Sequence, residues 1–193
     1  VVFCSNDYLG LGAHPAIVAA ARDGLDRHGL GSGASRLISG THRAHRAAET
    51  ACARWVGLPS ALLFSSGYAA NLGALGALLG RGDVVFSDRL NHASLIDGIR
   101  LSRAAVHIYE HLDAGHLGAL LAAHRAEGAR ALIVTDALFS MDGDLADLGR
   151  LRELADAHGA GLFVDEAHAL GVLGDGRGWS HACGIAPDVL VGT

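Results

Sequence analysis

The sequence predicts an α/β fold, a mostly parallel sheet covered by helices on both faces. Three observations carry that prediction. Short apolar runs recur along the chain. Almost every run ends in a polar residue. Amphipathic stretches of helical period fill the gaps between them. Strand and helix therefore alternate, the pattern of parallel strands buried on both faces.

Val1 to Gly12, VVFCSNDYLGLG, reads as a short strand followed by turns, with Asn6 and Asp7 as polar residues inside an apolar stretch. Pro15 to His28 reads as a helix, with proline in the first position and Gly29 as the stop. Gly29 to His42, GLGSGASRLISGTH, holds too many glycines and serines for regular structure. It reads as a loop, either flexible or sharply bent so that backbone can approach another group. Arg36, Leu37 and Ile38 in its middle argue against a plain linker. Thr41 is the expected cap of a helix running to about Val56.

Six β-runs then follow. Ala61 to Phe64 leads into Ser65-Ser66-Gly67, Val84 to Phe86 into Ser87-Asp88, and Val106 to Tyr109 into Glu110-His111. Ala131 to Val134 leads into Thr135-Asp136, Leu162 to Val164 into Asp165, and Val189 to Val191 into Gly192-Thr193. The clearest helices between them are Ala114 to Glu127, capped by Asp113, and Leu148 to His158, capped by Asp147.

Composition narrows the function. A chain of 193 residues suits one domain or a large part of one, and 50% hydrophobic against 18% charged residues can bury a substantial core. A net charge of -5 is poor for gripping nucleic acid. No apolar run is long enough to span a bilayer, and the first residues do not read as a signal peptide. Cys4, Cys52 and Cys183 are odd in number and scattered, which predicts reduced thiols in a cytoplasmic protein rather than a disulfide framework or zinc site. His42/His45 and His107/His111 stand at helix-compatible spacing without acidic or sulfur partners at ligand spacing. They read as surface residues, and no metal is expected.

The chemistry collects at the strand ends. In LFVDEAHALGVLGDGRG, Leu162 to Gly178, an apolar strand stops in Asp165, Glu166 and His168 and runs into a glycine-rich loop. Asp165 to His168 spells DEAH, a signature of helicase-type ATPases. Those proteins need a G-x-x-x-x-G-K-[ST] phosphate loop, and this sequence has none. Ser65-Ser66-Gly67-Tyr68 precedes a helix, whose first amides suit a phosphate. His92 offers a flat ring for stacking, and Ser140 lies just past a strand end in LFSMDGD. A phosphate cradle, a stacking ring and a buried carboxylate fit pyridoxal 5'-phosphate, whose pyridine nitrogen needs a carboxylate to stay protonated. A dinucleotide site fits worse, because no G-x-G-x-x-G follows a strand.

In order along the chain, SNDYLGL, GSGASRLISGTH, SSGYAAN, NHASL, FSMDGD, VDEAHALGVLG and DVLVGT are similar to motifs of the α-oxoamine synthases, pyridoxal-phosphate enzymes of fold type I. The resemblance implies residues 1–40 as an N-terminal segment with the glycine-rich loop and 41–193 as the first part of a large cofactor-binding domain. It implies that Gly67, Tyr68 and Thr193 lie by the phosphate and that His92 stacks on the ring. Ser140 and His168 would bond the ring-oxygen region, Asp165 would pair with the pyridine nitrogen, and Asn6 would lie on the substrate side. His92, Asp165 and His168 are the residues it marks as catalytic. The implied reaction is decarboxylative condensation of an amino acid with an acyl thioester, in a homodimer. Alanine with a pimeloyl thioester is the pair the resemblance favours, on SGASRLISGTH, and glycine with acetyl-CoA is the alternative. The family's cofactor lysine comes three positions after the threonine that matches Thr193, and the sequence contains no lysine, its 15 Lys/Arg positions all being arginine. The expectation is the N-terminal half of a fuller enzyme, not competent by itself.

Overall fold

The computed structural model describes residues 4–125 and 128–193. The strand expected at the very start of the chain falls on residues 1–3, outside the described residues, as does Glu127 at the end of an expected helix. The chain divides into two compact units, Val1–Leu63 and Phe64–Thr193.

The first unit holds α1 (Pro15–His28) and α2 (Arg43–Val56). Pro15 opens α1, His14 accepts a hydrogen bond from the Ala16 amide at 3.3 Å, and Gly29 closes it. The cap of α2 is His42 rather than the expected Thr41. The His42 amide donates to Nδ1 of His45 at 3.0 Å, while the Thr41 hydroxyl donates to the Arg36 carbonyl at 2.7 Å. Thr41 thus ties the glycine-rich loop to itself and leaves the helix end to a histidine. Arg36 pairs with Glu49 of α2 at 2.6 Å, so this loop is anchored and is no plain linker.

The expected strand at Ala61 to Phe64 does not form. Its backbone polar groups are taken by side chains. The Leu63 amide donates to Glu49 Oε1 at 2.9 Å, and the Leu63 carbonyl accepts from Arg36 at 3.2 Å.

The second unit runs α3 (Gly67–Leu78), β1 (Val84–Asp88), α4 (Ala93–Ser102), β2 (Ala105–Tyr109), α5 (Ala114–His124), β3 (Ala131–Asp136), α6 (Leu148–His158), β4 (Gly161–Asp165), α7 (Trp179–Ala182) and β5 (Val189–Val191). The five strands form one parallel sheet in the order β2-β1-β3-β4-β5. Asp113 and Asp147 cap α5 and α6 as the sequence predicts, accepting from the His116 and Arg150 amides at 2.8 and 3.0 Å.

Alternation along each strand feeds two cores. Val84, Phe86, Ile133, Leu162 and Val164 pack with Leu117 and Leu121 of α5 and Leu148, Leu151 and Leu154 of α6. Val85, Leu132, Val134 and Phe163 pack on the other face with Leu75 of α3 and Leu95 and Ile99 of α4. A side chain such as Phe163, with no exposed surface, contributes about 3–5 kcal/mol against truncation to alanine. Helices therefore cover both faces, and the polar strand ends gather at one edge. No helix among the described residues is long and apolar enough to cross a membrane, and Cys4, Cys52 and Cys183 are free thiols.

Candidate active site

Three strands end in a buried aspartate: Asp88 on β1, Asp136 on β3 and Asp165 on β4. The parallel register sets Asp136 directly beside Asp165. Asp165 Oδ1 accepts from the Ala167 amide at 2.9 Å, and its Oδ2 accepts from Asn71 Nδ2 at 2.6 Å. Asp136 Oδ2 accepts from the His92 amide at 2.8 Å, while its own amide donates to Asn91 Oδ1 at 3.0 Å. Burial first, and then the charge of Asp165, push the Asp136 carboxyl up to about 7.

His92 is the N-cap of α4, and its Nδ1 faces the amide and hydroxyl of Ser94 at 3.2 and 2.7 Å. Asn91, beside it, donates to Ser87 Oγ at 2.9 Å and to the Val134 carbonyl at 2.8 Å. The loop carrying His92 is therefore pinned to β1 and β3. The Tyr68 ring meets the His92 ring edge-on, with centroids 6.3 Å apart, and the Tyr68 hydroxyl donates to Asp97. His92, Asp136, Phe139 and Ser140 border a pocket of about 100 Å³. Ser140 stands on the turn between Leu138 and Leu145, which form an isolated antiparallel bridge.

The start of α3 forms a second part of the site. Ser66 caps it by accepting from the Ala69 amide at 3.1 Å. Helix geometry leaves the first amides, those of Gly67 and Tyr68, without partners inside the helix. Thr193 crosses close to this end. A Cβ on residue 67 would stand 2.0 Å from the Thr193 methyl carbon, so a larger residue there must displace Thr193.

His168 is half-buried on the turn after β4, three residues past Asp165. Asn6 lies in the first unit, exposed, and its Oδ1 accepts from the Tyr8 hydroxyl at 3.4 Å. Among the expected residues, His92 and Ser140 meet at the pocket, and Gly67 and Thr193 meet at the helix start. Asp165 connects to His92 through Asn71 and Ser94.

Asn71, Asn91, Ser94 and Asp136 belong to this site; Asn71 lies within SSGYAAN and Asn91 and Ser94 within NHASL, but nothing in those motifs marks their role, and Asp136 lies in none of them. Asn71 stands one helical turn after Gly67, and Asp136 ends its apolar strand just as Asp165 does; those were the available cues. His107 falls in the strand expected over Val106 to Tyr109, whereas the expected lack of acidic partners does not hold for His111. His107 lies within β2, where side chains alternate. His111 lies beyond it, with Nδ1 at 2.9 Å from Asp88 and Nε2 at 3.2 Å from Asp144. Burial works against protonation of His111, but the bonds to Asp88 and Asp144 outweigh it and raise its pKa. Among the described residues no group of three or more histidine, cysteine, aspartate or glutamate side chains is placed to hold a metal.

A parallel sheet with a helix start, a buried strand-end carboxylate and a histidine around one edge defines a class. The chain belongs to the aminotransferase class I and II family, whose model matches residues 1–193. Within it, the chain is 56% identical over 190 residues to an 8-amino-7-oxononanoate synthase of Geobacter sulfurreducens, covering 98% of this chain and 48% of the relative. It is 57% identical over 197 residues to the protein of that name from Methylococcus capsulatus, covering all of this chain and 50% of the relative. The chain thus spans about half the length of the curated relatives it matches.

Solved structures agree in fold. A serine palmitoyltransferase of Sphingomonas wittichii superposes with a TM-score of 0.93 at 36% identity, covering 98% of this chain and 48% of that one. An 8-amino-7-oxononanoate synthase of Francisella tularensis superposes with a TM-score of 0.78 at 33% identity, covering 95% of this chain and 50% of that one.

Proposed function

We propose that this chain is the N-terminal half of a pyridoxal-phosphate-dependent α-oxoamine synthase. The whole protein would condense L-alanine with pimeloyl-CoA, or the pimeloyl carrier-protein ester, to 8-amino-7-oxononanoate, CoA and CO₂ in biotin biosynthesis. The observation that carries this reading is Asp165. Its carboxylate is buried at a strand end and takes two donors, of the roughly four a carboxylate can accept. Acceptor capacity is therefore left for a protonated ring nitrogen. The first amides of α3, capped by Ser66 and close to Thr193, suit a phosphate.

When bound, pyridoxal 5'-phosphate supplies an electron sink for the amino-acid carbanion. The residues of this chain hold it ready for that task. Asp165 keeps a proton on the ring nitrogen through a charge-assisted hydrogen bond. His92 lies against the ring. The amides of Gly67 and Tyr68, with Thr193, take the phosphate. Ser140 and His168 donate to the ring oxygen, and Asn6 serves the substrate side. The lysine that anchors the cofactor is assigned to the remainder of the whole protein, because this sequence has none. The same reading makes the whole protein a cytoplasmic homodimer, with the glycine-rich loop near the partner subunit.

Choice of substrate rests on sequence identity. Curated 8-amino-7-oxononanoate synthases match at 56–57%, well above either solved neighbour, the serine palmitoyltransferase at 36% and the Francisella tularensis synthase at 33%. Backbone agreement reports the shared fold, and side chains report the chemistry. The test is a steady-state assay of the full-length protein. Alanine, glycine and serine are each paired with pimeloyl-, acetyl- and palmitoyl-CoA, after cofactor uptake is followed by visible absorbance. The alanine–pimeloyl pair is expected to dominate. Preference for another pair overturns the substrate, and failure to take up the cofactor overturns the whole reading. An active monomer in sedimentation would remove the dimer from it.

A further inference from the structure

Asp165 and His92 sit on different elements, yet two buried side chains join them. Asn71 Nδ2 donates to Asp165 Oδ2 at 2.6 Å and to Ser94 Oγ at 2.9 Å. The carboxylate fixes which way this amide faces. Turned over, Asn71 would set its carbonyl oxygen against Asp165. Both hydrogens of Nδ2 are thereby used, and Oδ1 is left buried without a hydrogen-bond partner. That orphan acceptor is the mark of an orientation imposed by Asp165, since a buried acceptor is costly to leave unmet.

The next link follows from donor counting. Ser94 Oγ accepts from Asn71 and has one hydrogen left to give. His92 Nδ1 stands 2.7 Å away. The Ser94 amide also points at Nδ1, at 3.2 Å. An amide N–H can only donate, so Nδ1 is an acceptor, and the proton of neutral His92 sits on Nε2.

We infer that Asn71 and Ser94 are positioning residues that hold neutral His92 in its Nε2–H tautomer and fix its ring relative to Asp165. With Nδ1 engaged and Nε2 protonated, neutral His92 has no free lone pair with which to take a proton. It meets a ligand in the pocket as a hydrogen-bond donor, suited to a carboxylate or carbonyl oxygen of the substrate. What that ligand is rests on the reading above; the tautomer does not.

The two can be tested apart. Full-length protein labelled with [15N]histidine, free of cofactor, is measured by long-range 1H–15N correlation at about pH 8, above the ordinary histidine range. His92 is assigned by loss of its signals in His92→Phe. The expected spectrum has Nδ1 unprotonated and Nε2 protonated. An Nδ1–H tautomer overturns the inference whatever the cofactor does. After loading, Ser94→Ala and Asn71→Ala are each expected to lower kcat/KM for the amino acid about tenfold, the size of one lost hydrogen bond. Cofactor affinity is expected to stay within about threefold. Variants that keep wild-type kcat/KM overturn the positioning role. If either variant fails to fold, the wild-type tautomer still decides. A protein with the Nε2–H tautomer that takes up no cofactor refutes the proposed function and leaves the tautomer standing.

Discussion

Replacing Asp165 by asparagine separates the two tasks given to this carboxylate. In the wild type each oxygen has one donor, Ala167 N–H at 2.9 Å on Oδ1 and Asn71 Nδ2 at 2.6 Å on Oδ2. Asparagine has the same shape, but one oxygen becomes an NH₂ group. Facing Ala167, that group strands a backbone donor. Facing Asn71, it forces the Asn71 amide to turn over, which gives its orphan Oδ1 a partner but withdraws Nδ2 from Ser94. The structural cost is therefore that of about one unmet group, about 1–3 kcal/mol. Against a stability of about 5–15 kcal/mol the protein still folds. Under the proposed function the functional cost is larger, because the charge assigned to hold a proton on the ring nitrogen is gone. Turnover of the full-length enzyme is expected to fall about 100-fold or more, the scale of removing one preorganised electrostatic partner. Cofactor uptake should survive, since the contacts proposed for the phosphate and for stacking do not involve Asp165. Urea denaturation, cofactor absorbance and steady-state turnover with alanine and pimeloyl-CoA read these three quantities separately. Near-normal turnover, or a defect rescued by Mg²⁺, would show that Asp165 faces a different partner.

Three further outcomes follow from the same geometry. Gly67→Ala must displace Thr193 from a 2.0 Å overlap, so cofactor affinity should fall about tenfold, the order of one charge-assisted bond to phosphate, while thermal stability stays nearly unchanged. A visible-absorbance titration measures it. His92→Phe should keep cofactor affinity and His92→Ala should lose about 1–3 kcal/mol of it by equilibrium dialysis, because stacking survives in the first and not in the second. The Asp136 carboxyl is raised from 3.8 to about 7 in the fold, so the folded state holds its proton more tightly than the unfolded chain. This group's contribution to stability is thus fully present below about pH 4 and is lost as pH rises towards 7. Asp136→Asn should flatten that part of the urea-midpoint profile between about pH 4 and 7, and an unchanged slope would refute the assignment.

The sheet was legible because its signal is local. Five of six apolar runs became strands, and alternation within them sorted Val84 and Phe86 from Val85, and Leu162 and Val164 from Phe163. Ala61 to Phe64 carried the same local signal and failed for a non-local reason, since Glu49 and Arg36 take the backbone groups of Leu63. The cap of α2 failed similarly: Thr41 is the better capping residue, but its hydroxyl is engaged by the Arg36 carbonyl. At the site, Asp165 was legible as a charge that interrupts a buried strand. Asp136 interrupts its strand in the same way, and what raises it to equal interest is the register beside Asp165, which no local pattern contains. The roles of Asn71 and Ser94, inside SSGYAAN and NHASL, were illegible for another reason. A polar residue on a helix is ordinary until burial removes its water and leaves each hydrogen to be accounted for.

The run from Asp165 to His168 shows why four letters do not make a motif. In an ATPase reading both acids would serve a metal. Here Glu166 is fully buried, and its two oxygens accept from the Trp179 amide at 2.8 Å, the Ser180 amide at 2.7 Å and the Ser180 hydroxyl. A side chain at residue 178 would come within 2.7 Å of that carboxylate, and the backbone there has φ of +94°, so glycine is required on both counts. Glu166 therefore binds the far end of the glycine-rich loop back onto the end of β4. That closure fixes the path of the chain through His168. Asp165, one residue earlier, turns to Asn71 at the sheet edge. The first acid is left for chemistry because the second holds the loop in place, and the division follows from which donors each carboxylate meets.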